Sequence, residues 1–231
     1  MSWKQQNCAY EETRIVHPWA KYPWRQSYVV WVITGATFLC FLAINISPGL
    51  YNILGMSCGS NFRIWQLLST SFIEGCILNL LSALILQLMF GVPLEHEWSP
   101  RHLAVVYLLS GIGSNLLLLT FLPQGACFGS TAGAVSGLLA AAWYNLRDDE
   151  KWSLFMIAIL SLRKIIMVIM IVTILLCLLS PAPILVIVPI SGFALGSLYC
   201  LLQKKLKKKL QKWEGSRHKI EKKRTSNIEI D

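Results

Sequence analysis

Charged residues are scarce in this chain of 231 residues: Asp, Glu, Lys and Arg make up 14%, against 55% for the hydrophobic types. A soluble domain carries about a quarter charged residues, so the shortage excludes one and, with a mean hydropathy of +0.53, points to the bilayer. No internal repeat is visible, and no apolar segment is interrupted symmetrically in two halves, which counts against a secondary transporter. The first 27 residues lack the basic start, short apolar stretch and small-residue cleavage site of a secretory signal. With Glu11, Glu12 and five Trp or Tyr residues they are also unlike an acid-poor transit peptide. The first apolar segment is therefore expected to remain as an anchor.

Long apolar runs fill the space that charge leaves. They lie at 28–47, 65–90, 102–122, 127–144, 165–180 and 183–202, each judged against the about 20 residues a helix needs to span a bilayer. They predict an all-α membrane protein of six transmembrane helices, divided into an N-terminal segment (1–27), a membrane domain (28–202) and a basic tail (203–231). The stretch 153–162 is expected to lie on the surface as an amphipathic segment. The loop 47–65, with Tyr51, Ile53, Leu54, Met56 and Phe62, is expected to dip into the interface. Pro93, Glu95, Glu97 and Trp98 mark a headgroup boundary that closes the second helix.

Six spans put the N-terminus, the 91–101 loop, the 145–164 segment and the C-terminus on one side. Those regions hold 20 of the 21 Lys and Arg residues, and Arg63 alone falls on the other side. The positive-inside rule then places both termini in the cytosol or its equivalent. The tail carries 11 of these bases and reads as a topology anchor that touches anionic lipid, rather than as a nucleic-acid arm. Most of the seven cysteines lie in apolar runs as small packing residues. Cys58 and Cys127 both map to the non-cytosolic side, where an oxidising compartment would allow them to pair, although spacing does not establish proximity.

Small residues recur at helical spacing. Ser110, Gly111, Gly113 and Ser114 narrow the third run, Gly133 and Gly137 the fourth, Gly192 and Gly196 the sixth. In lipid, helices associate by close packing, and small residues four apart let backbones approach. The fourth and sixth helices are therefore expected to lie against each other.

Several of these segments together resemble the rhomboid family of intramembrane serine proteases. Trp65-Gln66 is similar to the family's Trp-Arg opening of its second helix, with Gln in place of Arg, and Gly91 to Glu95 to its Gly-x-x-x-Glu close. Tyr107 to Gly113 resembles the third helix, Ala132-Gly-Ala-Val-Ser-Gly-Leu the fourth, and Ile190 to Gly196 the glycine-rich run of the sixth. The resemblance implies a six-helix bundle with a membrane-dipping first loop, no cofactor and no metal.

It also locates departures. The family's nucleophile falls on Ala132 and its general base on Pro189. The helix-two His and Asn that bind the oxyanion fall on Asn79 and Ala83, and an upstream His on Glu74. An alanine methyl has no oxygen to attack a carbonyl, and proline has no ring base. Ser130, Thr131, Ser136 and Ser191 are the remaining hydroxyls, but His17, His96, His102 and His218 all fall on the cytosolic side or its membrane edge. No lysine lies on the outer side, which excludes a Ser–Lys pair.

Glu74 has two readings: a polar contact inside a water-filled groove, or a carboxyl hydrogen-bonded to Ser, Thr or Asn of neighbouring helices. Asn79 reads as a client contact or as glue between helices, and Pro189 as a kink beside Ala132. These residues lead to an inactive rhomboid-like protein whose groove, formed by Glu74, Asn79, Ala132 and Pro189, receives transmembrane segments of client proteins. The family's inactive branches, including the Derlins, imply a role in quality control, trafficking or translocation. The alternatives are an active protease using Ser130 with Glu74, and a pore or import component on the same scaffold. The expected membrane is an endomembrane, ER or Golgi, ahead of the mitochondrial inner membrane.

Overall fold

The computed structural model describes residues 15–16, 27–57, 63–121, 127–146, 151–154, 158–179 and 183–228. Each apolar run contains a helix. In chain order the elements are β1 (Ile15–Val16), α1 (Tyr28–Ile46), α2 (Gly49–Leu54), β2 (Met56–Ser57), α3 (Trp65–Ser69) with a 3-10 turn (Thr70–Phe72), α4 (Ile77–Glu97), α5 (Pro100–Leu119), β3 (Cys127–Phe128), α6 (Ala132–Asn145), β4 (Lys151–Leu154), β5 (Ala158–Ser161), α7 (Leu162–Leu179), a 3-10 turn (Pro183–Val186) and α8 (Ile187–Ile228). Among the described residues, four helical segments have the length and apolar composition to cross a membrane: Tyr28–Ile46, Ile77–Glu97, Pro100–Leu119 and Ile184–Lys209. Large apolar side chains such as Val32, Leu39, Leu78, Leu116, Val168 and Leu201 remain exposed along these helices and α7. That pattern suits a hydrocarbon surround.

The centre of the bundle is α6. Its residues from Gly133 to Ala142 are all buried, with α4, α5, α7 and α8 packed against it. At 14 residues it is about 21 Å long, shorter than the hydrocarbon thickness. Small side chains set how closely its neighbours approach. A Cβ at Gly196 would lie 2.7 Å from the Gly137 carbonyl oxygen and 2.8 Å from its Cα, and one at Gly192 would meet the Gly133 backbone and the Ser136 hydroxyl. On the α5 side, Gly133 and Gly137 receive Ser114 and Ser110. Glycine and serine thus bring three backbones together where lipid supplies no hydrophobic drive.

The second apolar run is not one helix. It breaks at Ile73–Cys76, where Ile73 is extended (φ −102°, ψ 135°), and α4 restarts at Ile77. The break strands the Ser71 carbonyl inside the bundle, and the Tyr107 hydroxyl donates to it at 2.9 Å while accepting from Gln87 Nε2 at 3.0 Å. Asn115 Nδ2 donates to Thr70 Oγ1 at 2.8 Å, which donates in turn to the Gln66 carbonyl at 2.7 Å. Tyr107→Phe therefore leaves the Ser71 carbonyl and the Gln87 amide short of partners. It is expected to cost about 1–3 kcal/mol of stability, measured by unfolding in detergent.

Other boundaries also differ from the sequence pattern. α4 runs past the apolar run to Glu97 and is capped at Trp98, within the 91–98 stretch expected to close it, with Pro93 buried inside the helix; neighbouring helices make such a proline tolerable. Of the 153–162 stretch, residues 153–154 and 158–161 lie in strands. β4 and β5 pair antiparallel, with β1 parallel to β4, and α7 starts at Leu162. Arg163 and Lys164 thus occupy its first turn. The tail is continuous with the last helix through Ile228.

In the first loop α2 forms a short helix, and β2 pairs antiparallel with β3 (Met56 with Phe128, Ser57 with Cys127). Gln66 Nε2 donates to the Ile53 carbonyl at 3.2 Å and Ser69 Oγ to that of Leu54 at 2.5 Å, tying this loop to α3. Cys58 lies outside the described residues.

Candidate functional site

The candidate site lies at the start of α6, where the resemblance places the nucleophile. Glu74, in the break before α4, is buried at 3% exposure. Its Oε1 accepts from the Thr131 amide at 2.9 Å and from the Thr131 hydroxyl at 2.5 Å. Thr131 is the N-cap of α6, yet its side chain makes no capping bond within its own helix. A helix start leaves amide donors unsatisfied and carries a partial positive charge. A carboxyl from a distant segment answers both needs.

Beside it, the Ser130 hydroxyl accepts from the Ala132 amide at 3.1 Å. Ser130 and Glu74 therefore serve different partners, and the Ser130–Glu74 pair is not formed. Ala132 is half-buried and packs against the Met56, Leu118 and Val188 cluster. Pro189 is buried. Ser136 and Ser191 donate back to the Gly133 and Val188 carbonyls at 2.9 and 3.1 Å. Each of these hydroxyls is occupied by backbone close to it.

The described histidines stand elsewhere. His96 lies at the end of α4, its Nε2 3.1 Å from Ser27 Oγ, and His102 stacks on Trp98 in the first turn of α5, ring centroids 5.2 Å apart. Leu118, near the other end of α5, belongs to the Ala132 cluster, so His102 is about 24 Å of helix away. His17 lies outside the described residues, and so does the side chain of His218.

Of the four groove candidates, Asn79 alone is exposed, on the first turn of α4 next to exposed Ile77 and Leu78. Its side-chain amide has no hydrogen-bond partner among the described residues. Ala83, one turn further, is buried at 5% exposure. Glu74 and Pro189 face inward, so the open reading of Glu74 gives way to the hydrogen-bonded one. Among the described residues no group of three or more His, Cys, Asp and Glu side chains could hold a metal ion.

A second acid repeats the device at the opposite end of α4. Glu95 accepts from the Val29 and Val30 amides at 3.1 and 3.0 Å, capping α1 from outside. The sequence signals differed: Glu74 is an acid inside an apolar run, which requires donors, whereas Glu95 read as part of a headgroup boundary.

The family model of the Rhomboid domain matches residues 61–205. The chain belongs to the rhomboid family. It is 27% identical over 143 residues to "Rhomboid-like protease 3" of Toxoplasma gondii, covering 55% of this chain and 54% of that protein. It is 28% identical over 105 residues to "RHOMBOID-like protein 4" of Arabidopsis thaliana (46% and 26%). With "Inactive RHOMBOID-like protein 8" of the same plant it shares 29% over 96 residues (39% and 27%). The chain thus spans from about a quarter to about half of the length of these rhomboid relatives. Relatives named as protease and as inactive stand side by side.

Proposed function

We propose that this rhomboid is catalytically inactive and binds transmembrane segments of client membrane proteins, in quality control, trafficking or translocation. The observation that carries the reading is the capping of Thr131 by Glu74 next to Ala132. Amide donors at the head of α6 that a protease needs free for a developing oxyanion are already engaged, and the residue beside them has no nucleophilic atom. Client binding is supported by Asn79, an exposed amide on an apolar helix face, where a polar group in hydrocarbon gains from a partner across the interface. In this reading the six helices all cross the membrane, both termini are cytosolic, and the membrane is that of the ER or Golgi.

A fluorophosphonate probe, which reacts with an activated serine, tests the first half. No labelling is expected, and none after Ala132→Ser, since Pro189 supplies no base. Labelling that disappears in Ser130→Ala would establish the protease reading instead. A photo-crosslinker at position 79 tests the second half: adducts with membrane proteins are expected there and not at Ala83. Equal yields at both would remove the client face.

A further inference from the structure

The membrane edge nearest the tail is marked by four half-buried aromatic side chains, Trp98, Trp143, Tyr144 and Tyr199. Such side chains collect at headgroup level. Around them stand cations from three helices: Arg101 on α5, Arg163 and Lys164 on α7, and Lys204, Lys205, Lys207, Lys208 and Lys209 on α8, all exposed.

Internal contacts set the height of this collar. Lys204 Nζ donates to the Tyr144 carbonyl at 2.6 Å, at the negative end of α6, and lies 5.3 Å from the Tyr144 ring centroid. The Arg163 guanidinium lies 5.9 Å from the Trp143 ring centroid, so Lys204 and Arg163 flank one helix end. Trp98 Nε1 donates to Gln203 Oε1 at 3.2 Å, which holds α8 one residue before the lysines begin.

Among the described residues the acids at this edge are Glu95, whose carboxyl serves the α1 amides, and Glu97 at the end of α4. Leu206, 60% exposed between the lysines, is suited to the boundary of headgroup and acyl chain. The rest of the basic tail is different. α8 continues without a break to Ile228, so Lys219 begins about 24 Å of helix beyond Gln203, well past a screening length of about 8 Å.

We infer that this collar, and not the tail as a whole, is a seat for anionic phospholipid, with Lys205, Lys207, Lys208 and Lys209 meeting the lipid phosphate. The juxtamembrane lysines reach the headgroups because Lys204 and Gln203 fix where α8 leaves the bundle; the distal bases of the same helix do not.

The test is native mass spectrometry of the full chain taken from vesicles of equimolar phosphatidylcholine and phosphatidylserine. Retained phosphatidylserine is expected to exceed phosphatidylcholine by about tenfold. K205Q/K207Q/K208Q/K209Q, which spares Lys204 and Arg163 and so the packing, is expected to bring that ratio close to one. The charge-matched K219Q/K222Q/K223Q/R224Q is expected to keep it. Enrichment kept by the first variant, or lost in the second, would overturn the seat. Displacement of the lipid by excess inorganic phosphate would do so too, by assigning the collar to a free anion.

Discussion

Glu74→Ala is expected to destabilise the bundle by about 2–5 kcal/mol, the sum for two hydrogen bonds to a buried carboxyl group. Thr131 is fully buried, so without Glu74 its amide and hydroxyl face no water to take the carboxyl's place. Glu74→Gln keeps an acceptor oxygen and is expected to lose about half as much. Thr131→Val, which removes the hydroxyl alone, should cost about 1–2 kcal/mol. Unfolding in detergent, followed by helical signal, ranks the variants as alanine, then glutamine, then the parent. An alanine variant as stable as the parent would return Glu74 to an open groove and remove the main support for an inactive centre. Because these bonds also hold the start of α6, the same variant should show faster hydrogen exchange at the head of that helix.

Gly192→Ala and Gly196→Ala are each expected to cost about 1–3 kcal/mol, and the double variant to leave little folded protein. The physical reason is what the new methyl group meets. At Gly196 it is the Gly137 carbonyl oxygen and Cα; at Gly192 it is the Gly133 backbone. A side chain can rotate away, but the backbone of a buried helix can yield only by moving α6 and α8 apart, which loosens contacts along both. Gly35, on α1, has open space around its Cβ direction. Gly35→Ala is therefore expected to be neutral or to stabilise by up to about 1 kcal/mol through helix propensity. The three variants together separate packing from propensity; equal behaviour at positions 35 and 192 would mean that α6 and α8 do not touch as described.

Much of this was legible before any coordinates. Apolar runs announced the helices because a span needs about 20 residues of one character. Serine and glycine at helical spacing announced which faces are narrow. The break at Ile73–Cys76 was hidden because apolar residues continue on both sides of Glu74, and periodicity does not distinguish one helix from two. The end of α4 was legible in its two acids and Trp98, whereas Pro93, which as a local signal ends helices, is absorbed inside the packed bundle by its neighbours. The pairing of β4 with β5 was hidden for a related reason: a short apolar stretch fits a strand or a helix equally well by pattern.

The amino-acid sequence by itself determined that this is a helical membrane protein of the rhomboid family and that the position on which the resemblance places the nucleophile carries a methyl group. These follow from composition and residue identity, which no conformation alters. Only the tertiary structure decided what Glu74 does. An acid in an apolar segment must find donors, but which ones depends on the segments that approach it, and here they come from Thr131, 57 residues further along the chain. The same holds for the lysines. Their charge is local, whereas where the helix that carries them leaves the bundle is set by the bonds of Gln203 to Trp98 and of Lys204 to the Tyr144 carbonyl.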